Sequence, residues 1–180
     1  MRIGVIAFLG VISLASGLFA ETGGTGTMKL DGQAVKLIDA FAYSGELIEY
    51  DEDGNRKDHY DIVLTAEKID RGSIGASEPV SDFNLWLYTE EPATLTIRLG
   101  PELQSGFMTA SRKGEFHSNA MRCYCDGAVS EVKLENGRMR GRVHTPKGLK
   151  SQHEGAEDPS VGRTLEFDIE IDIPLVRIVP

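Results

Sequence analysis

The sequence predicts an all-β protein, and three observations support this prediction. Apolar and polar residues alternate with a period of two along most of the chain. The pairs Asp31-Gly32 and Asn136-Gly137 separate alternating runs, and such pairs tolerate the positive φ of a tight hairpin turn. No helical pattern of useful length interrupts this organisation. We therefore expect a single-domain antiparallel β-sandwich over residues 21–180, with a β-barrel as the alternative.

Residues 1–20 have the features of a signal peptide and are excluded from the predicted fold. Arg2 supplies a positive start, the run from Ile3 to Phe19 has no charged side chain, and Ala20 offers a small residue for cleavage. The run is short and contains glycines, whereas a membrane span needs about 20 apolar residues. We predict cleavage after Ala20, a periplasmic or extracellular protein, and no stable membrane insertion after cleavage.

Composition limits the classes of partner. The chain has 19 basic and 28 acidic side chains, and its formal net charge is −9. An acidic protein is disfavoured as a partner of nucleic acid or of an anionic membrane. Only two cysteines are present, so the hydrophobic core and not a disulfide framework must stabilise the domain. An unknown protein or a small ligand is the partner that we expect.

The first predicted element is a hairpin that joins residues 26–30 to residues 33–43. Both faces of its second arm have apolar side chains, so we expect this strand to be covered on both sides. Asp39 interrupts one of these faces. It is either a carboxylate held by backbone donors or a residue at the rim of the sheet, and we favour the rim.

The middle of the chain predicts short strands at residues 61–65, 83–88 and 93–99. A polar turn over residues 50–59 precedes the first strand. A loop over residues 66–82, with room for one helical turn, separates the first strand from the second. Alternation of Leu and Ile with Thr and Arg indicates that the third strand is half-buried.

The C-terminal third predicts a hairpin of residues 130–135 and 138–144, followed by a strand over residues 164–173. One face of the last strand is acidic, with Glu166, Asp168, Glu170 and Asp172. A basic stripe has the complementary sign and spacing, with Arg138, Arg140, Arg142 and His144. We predict that the two strands are antiparallel neighbours. We interpret the acidic face as solvated and internally neutralised, with a surface for a cationic partner as the alternative.

Possible ligands for a soft metal are concentrated in one segment, namely Met108, His117, Met121, Cys123 and Cys125. Thiolate, thioether and imidazole groups select metals such as Cu(I). If the segment is extended, Met121, Cys123 and Cys125 share one face, and with His117 they could bind copper or zinc. We favour a Cys123–Cys125 disulfide, which needs a turn at Tyr124 because residues two apart on a strand lie at the upper limit of disulfide spacing. Buried or intermolecular thiols are the third alternative.

Two loops contain candidate ligands. Asp51, Asp53 and Asn55 match the first three oxygen positions of a helix-loop-helix calcium site, but Arg56 and Ile62 occupy its Gly and Glu positions. We therefore favour a hairpin turn there. The loop over residues 145–163 has acid–base or metal-binding side chains, and we favour a hydrophilic surface loop. These side chains are His153, Glu154, Glu157 and Asp158.

The stretch from Gly26 to Tyr43 combines an Asp-Gly turn with a strand of alternating small and aromatic residues. This stretch resembles a pattern in uncharacterised small exported bacterial β-domain proteins. The run from Val63 to Ala66 and the closing alternating strand are similar to that pattern as well. The resemblance covers about half of residues 21–180. Those proteins lack an assigned activity, so the resemblance implies an exported β domain and no functional residues.

The sequence therefore predicts an exported binding or structural module without a cofactor and without catalytic residues. The absence of any complete catalytic motif favours a protein that is not an enzyme. One alternative is a periplasmic copper- or zinc-binding protein that uses the soft ligands. The other is a hydrolase whose site is assembled from loops, which a cleft holding Asp39, His153 or Glu154 together would favour.

Overall fold

A computed structural model describes residues 23–50, 56–75, 77–115, 120–124, 128–150 and 162–177. These ranges form strands and one helix, which confirms the all-β class. No helix within them is long and apolar enough to cross a membrane. The predicted signal peptide lies outside the described residues. The elements are β1 (Gly24–Leu30), β2 (Gln33–Leu37), β3 (Asp39–Tyr50), β4 (Arg56–Thr65), α1 (Pro79–Glu90), β5 (Thr94–Leu99), β6 (Ser105–Ser111), β7 (Met121–Tyr124), β8 (Val129–Ser130), β9 (Lys133–Glu135), β10 (Arg138–His144), β11 (Leu149–Lys150) and β12 (Thr164–Arg177).

The described strands belong to one hydrogen-bonded sheet with the path β2-β1-β12-β3-β4-β5-β6-β7, and β10 branches from β12. Residues 168–171 of β12 pair with β1 and with β10, so β12 is central. One pairing is parallel, because residues 175–177 of β12 run alongside residues 42–44 of β3. The sheet is therefore mixed and not wholly antiparallel. It curls into a half-barrel.

Two hydrophobic cores lie on opposite faces of the sheet. The main core is enclosed by the curl and takes residues from β1 through β12, including Met28, Leu64, Leu95, Met108, Met139 and Ile169. The second core lies where α1 packs on β3 and β4, and it consists of Phe41, Val63, Ile69, Ile74, Phe83 and Leu87. Strand β3 is covered on both sides, as predicted, since the neighbours Phe41 and Ala42 are only 4% and 1% exposed.

Helix α1 shows that the predicted strand over residues 83–88 and the expected lack of helix were wrong. Phe83 and Leu87, four residues apart, are both buried, which is the spacing of one helical face. Leu85, which a strand would bury beside them, is 66% exposed. The segment has apolar residues on every side of the helix, so its sequence shows no clear period of 3.6.

The first hairpin turns at residues 31–32, where both residues have positive φ, but its second arm is not one strand. Ile38 separates β2 from β3, and its N–H donates to the carbonyl of Thr65 (2.8 Å). Because of this break, Leu37 and Ala40 both enter the main core. An unbroken strand would place them on opposite faces.

The hairpin of β3 and β4 is longer than the sequence predicted. Tyr50 pairs with Arg56, so residues 56–59 of the predicted polar turn belong to β4 instead. The three candidate calcium ligands, Asp51, Asp53 and Asn55, lie outside the described residues. Strand β5 forms at the third predicted position, with every apolar side chain fully buried.

The acidic face of β12 pairs with basic side chains of β10, as predicted. The strands are antiparallel neighbours. Arg142 donates two hydrogen bonds to the carboxylate of Asp168, at 2.7 and 2.6 Å. Arg138 and Arg140 both contact Oδ1 of Asp172, at 2.7 and 3.0 Å. Because exposed ion pairs stabilise little, these contacts select the partner strand more than they stabilise the fold.

Candidate functional site

An open cleft of about 440 Å³ lies between α1 and the loop that precedes it, and we call it the α1 cleft. Its volume is within the range of about 300–1,000 Å³ that is common for ligand pockets. The described lining includes three carboxylates, an indole ring and no basic side chain. The lining residues are Asp70, Ser73, Asp82, Leu85, Trp86, Thr89 and Glu90.

The helix wall of the cleft exposes apolar surface. Leu85 and Tyr88 are 66% and 61% exposed, the highest values among large apolar side chains of the described residues. Trp86 is half-buried and stacks on Phe83, with ring centroids 6.1 Å apart. Phe83 in turn stacks on Phe41 of β3 at 4.2 Å. The second core therefore supports the indole ring that lines the cleft.

Asp39 holds the loop wall in place. Its carboxylate accepts hydrogen bonds from the N–H groups of Ala40 (2.8 Å) and Ile69 (3.1 Å). It accepts two more from the guanidinium of Arg71, at 2.6 and 2.7 Å. Burial alone would raise the pKa of Asp39, but these hydrogen bonds lower it below its ordinary value. The preferred position at the rim was wrong, and the alternative of a carboxylate held by backbone donors is correct.

Backbone N–H groups orient two carboxylates of the cleft. Gly72 donates to Oδ1 of Asp70 (3.0 Å), and Gly75 donates to Oδ2 of Asp82 (2.7 Å). Neither carboxylate has a cationic partner in the described part of the chain. Glu90 interacts electrostatically with Lys113, whose side chain is hydrogen-bonded to Glu67. Within the described residues, the carboxylates of the cleft therefore outnumber the cations beside them.

A buried polar cluster that the sequence did not predict lies farther along the outer face of β3, β4 and β5. Arg98 donates two hydrogen bonds to Asp61, at 2.8 and 2.9 Å. Nε2 of His59 lies 3.3 Å from the same carboxylate. Burial, and then the negative charge of Asp61, raise the pKa of the Tyr43 phenol. A carboxylate with this many partners is not available as a general base.

The local sequence contains a signal for this cluster. His59 and Asp61 are two residues apart on β4, so both point to the outer face, where the adjoining Val63 is apolar. Arg98 is the direct cross-strand partner of Asp61. An added Cβ at Gly45 would lie 2.8 Å from the His59 ring, so the glycine allows the ring to pack against the backbone.

The soft-ligand segment contributes to the main core. Met121 and Cys123 share the inner face of β7 and are 1% and 3% exposed, and Met108 is the cross-strand partner of Cys123. Cys123 is disulfide-bonded, and a disulfide sulfur is not the thiolate that binds metals. His117 and Cys125 lie outside the described residues. Copper or zinc binding therefore stays a prediction, and it concerns the reduced protein.

Other candidate residues are separated from the cleft or lie outside the described chain. No group of three or more His, Cys, Asp or Glu side chains could hold a metal ion within the ranges described. His153, Glu154, Glu157 and Asp158 lie outside those ranges. Asp39 is bound by Arg71, and its proposed partners His153 and Glu154 are not described. The loop-assembled hydrolase therefore also stays a prediction.

The sequence did not predict the α1 cleft, because its walls were interpreted as a loop and a strand. Pro79 at the start of the helix is one signal that was available, since proline is favoured in a first helical turn. The spacing of Phe83 and Leu87 is another. Comparisons with protein-family models, with curated proteins and with solved structures found no match.

Proposed function

We propose that this protein is an exported binding module and that the α1 cleft is its ligand-binding surface. The main support is an open cavity lined by the strongly exposed Leu85, with the exposed Tyr88 three residues farther along the same helix. Other large apolar side chains of the described residues are at most 40% exposed. Neighbouring exposed apolar side chains are typical of interaction surfaces. Trp86 adds a rigid aromatic wall, which is common in binding sites.

The polar groups of the cleft favour binding over covalent catalysis. The Ser73 hydroxyl donates to the backbone carbonyl of Asp70 (2.8 Å), and the Thr89 hydroxyl donates to that of Leu85 (2.9 Å). Activation of a nucleophile requires a base at hydrogen-bond distance from the hydroxyl. Both hydroxyls instead donate hydrogen bonds to backbone carbonyls, so neither is arranged as an activated nucleophile.

Two features support export as part of the proposal. Residues 1–20 have the charge pattern and apolar run of a signal peptide. Cys123 is disulfide-bonded, and structural disulfides persist in oxidising compartments. Periplasmic or extracellular binding proteins meet both conditions.

The proposal is tested by mapping small fragments onto the exported protein by nuclear magnetic resonance. The fragment set contains aromatic and aliphatic compounds that bear an amine, an amide or a carboxylate. We expect backbone amide shifts to change within residues 69–75 and 79–90, and these changes to weaken in the Leu85→Ser variant. Val129→Ser, which replaces a partly exposed apolar residue of β8, is the matched control. Shift changes that all lie elsewhere would contradict the proposal.

A further inference from the structure

We infer that the α1 cleft binds a peptide segment in which a Lys or Arg side chain is flanked by apolar residues. This inference rests on the proposed function and names the class of its ligand. The cationic group lies beside the carboxylates of Asp70 and Asp82, and Glu90 adds negative charge to the lining of the same cleft. The flanking apolar residues pack on Leu85 and Tyr88.

Charge complementarity selects a cation. The described lining of the cleft has no basic side chain. Arg71, the basic residue adjacent to Asp70, donates hydrogen bonds to both carboxylate oxygens of Asp39. Asp70 and Asp82 each use one oxygen to accept a backbone N–H, and among the described residues the other oxygen of each accepts no hydrogen bond. An anionic ligand would meet repulsion from every charged group of the cleft.

The indole ring suits the stem and the head of a basic side chain. Trp86 lines the cleft together with the carboxylates and Leu85. Lys and Arg pack their methylene stems on apolar surface while their charged ends stay polar. The face of an indole ring also attracts a cation. One basic side chain can therefore satisfy both the carboxylates and the aromatic wall.

The exposed helix surface distinguishes a peptide from a smaller occupant. Tyr88 is 61% exposed and lies outside the lining of the cavity. A free amine that fills the cavity would leave that ring uncovered, whereas a peptide covers both regions. Metal ions are disfavoured because no suitable ligand group exists among the described residues. A second copy of the chain is disfavoured by its net charge of −9.

The chain provides an internal probe for the test. Trp86 is its single tryptophan, so intrinsic fluorescence reports on the α1 cleft without a label. We propose to titrate the full exported protein with a short peptide that has a central lysine between leucines. Three comparison peptides differ in one feature: an acetylated lysine, a glutamate in place of the lysine, or serines in place of the leucines. We expect the lysine–leucine peptide to bind about tenfold more tightly than each of these, and binding to weaken as salt is added.

Variants of the cleft test which side chains bind the cation. In Asp70→Asn with Asp82→Asn, each amide oxygen can still accept the backbone N–H, so the loop keeps its geometry while the charge is lost. We expect this double variant to bind the peptide about threefold to tenfold more weakly. Glu102→Gln, at an exposed acidic residue after β5, is the matched control and should leave binding unchanged.

The outcomes separate this inference from the proposed function. Equal affinity for the lysine and acetyl-lysine peptides, with a Trp86 response, would overturn the requirement for a cation but would leave a binding cleft. Equal affinity for lysine amide alone would overturn the peptide as occupant. A silent Trp86 with every peptide, together with fragments that shift only distant amides, would refute both proposals.

Discussion

Replacement of Asp39 by asparagine should destabilise the protein by about 2–4 kcal/mol. The carboxylate accepts four hydrogen bonds, two on each oxygen. In asparagine one oxygen becomes an NH₂ group, which then faces an N–H of Arg71 and a backbone N–H. Loss of one partner from a buried ion pair costs about 3–5 kcal/mol. The Arg71 side chain is 30% exposed, so water can replace part of the hydrogen bonding that Arg71 loses. We therefore expect a smaller loss of unfolding free energy than for a fully buried pair.

The effect of Asp39→Asn should depend on pH in a defined direction. The pKa of Asp39 in the folded protein is below its ordinary value of 3.8. A carboxylate with a lowered folded pKa contributes stability above its unfolded pKa, and that contribution is lost as pH falls through the folded pKa. The difference between the wild type and Asp39→Asn is therefore full at neutral pH and narrows below about pH 4.

Thermal unfolding monitored by circular dichroism tests both statements. A loss of 2–4 kcal/mol corresponds to a decrease in Tm of about 5–15 °C for a domain of this size. Asp168→Asn, which changes an exposed carboxylate of β12, is the control and should shift Tm much less. A difference below about 1 kcal/mol at neutral pH, or one that persists unchanged in strong acid, would show that the Asp39 contacts do not stabilise the fold as we argue.

Three further predictions concern Gly141, Tyr43 and Asp172. Gly141 has φ of 142°, and an added Cβ would collide with the carbonyl oxygen of Glu131, so Gly141→Ala should cost about 3 kcal/mol or more in urea unfolding. Gly114→Ala, at a positive φ in open space, should cost only about 1–2 kcal/mol. Burial raises the pKa of Tyr43 above 10.0, so the stability that the neutral phenol contributes is present below that pH and is lost as pH rises. An absorbance titration should show one tyrosine that ionises only on unfolding, and this tyrosine should be absent from Tyr43→Phe. Complete ionisation of the native protein near pH 10 would contradict this prediction. Asp172→Asn removes two exposed arginine contacts, so its loss of stability should vanish in about 1 M salt, and a salt-independent loss would argue against the electrostatic origin.

Local patterns predicted the elements whose stabilising contacts lie close together in sequence. The Asn136-Gly137 turn set the register of β9 and β10, with Leu134 opposite Met139 as expected. The pairing of β10 with β12 was predicted across a longer distance, because two charge stripes of opposite sign have the same spacing of two residues. In both cases the side chains of the paired strands themselves specify which residues pair.

The candidate site was harder to predict, because its geometry depends on distant partners. Nothing near Asp39 indicates that Arg71 binds it, since the two residues are brought together only when the loop packs on β3. The segment that contains Trp86 has alternating and consecutive apolar residues, and only the packing of Phe83 on Phe41 selects the helix over a strand. Asp70 and Asp82 were therefore both assigned to one loop, and Glu90 to the break between two predicted strands.

Local sequence patterns were sufficient to predict the all-β class, the two Asx-Gly turns and the pairing of β10 with β12. These features depend on turn chemistry and on a side-chain period of two, both of which operate over a few residues. Long-range packing establishes the curl of the mixed sheet, the break at Ile38, the helix over Pro79–Glu90 and the α1 cleft. Each of these arises from burial against residues far away in the chain, because a short segment of ambiguous periodicity adopts whichever conformation buries its apolar side chains on the surface available to it.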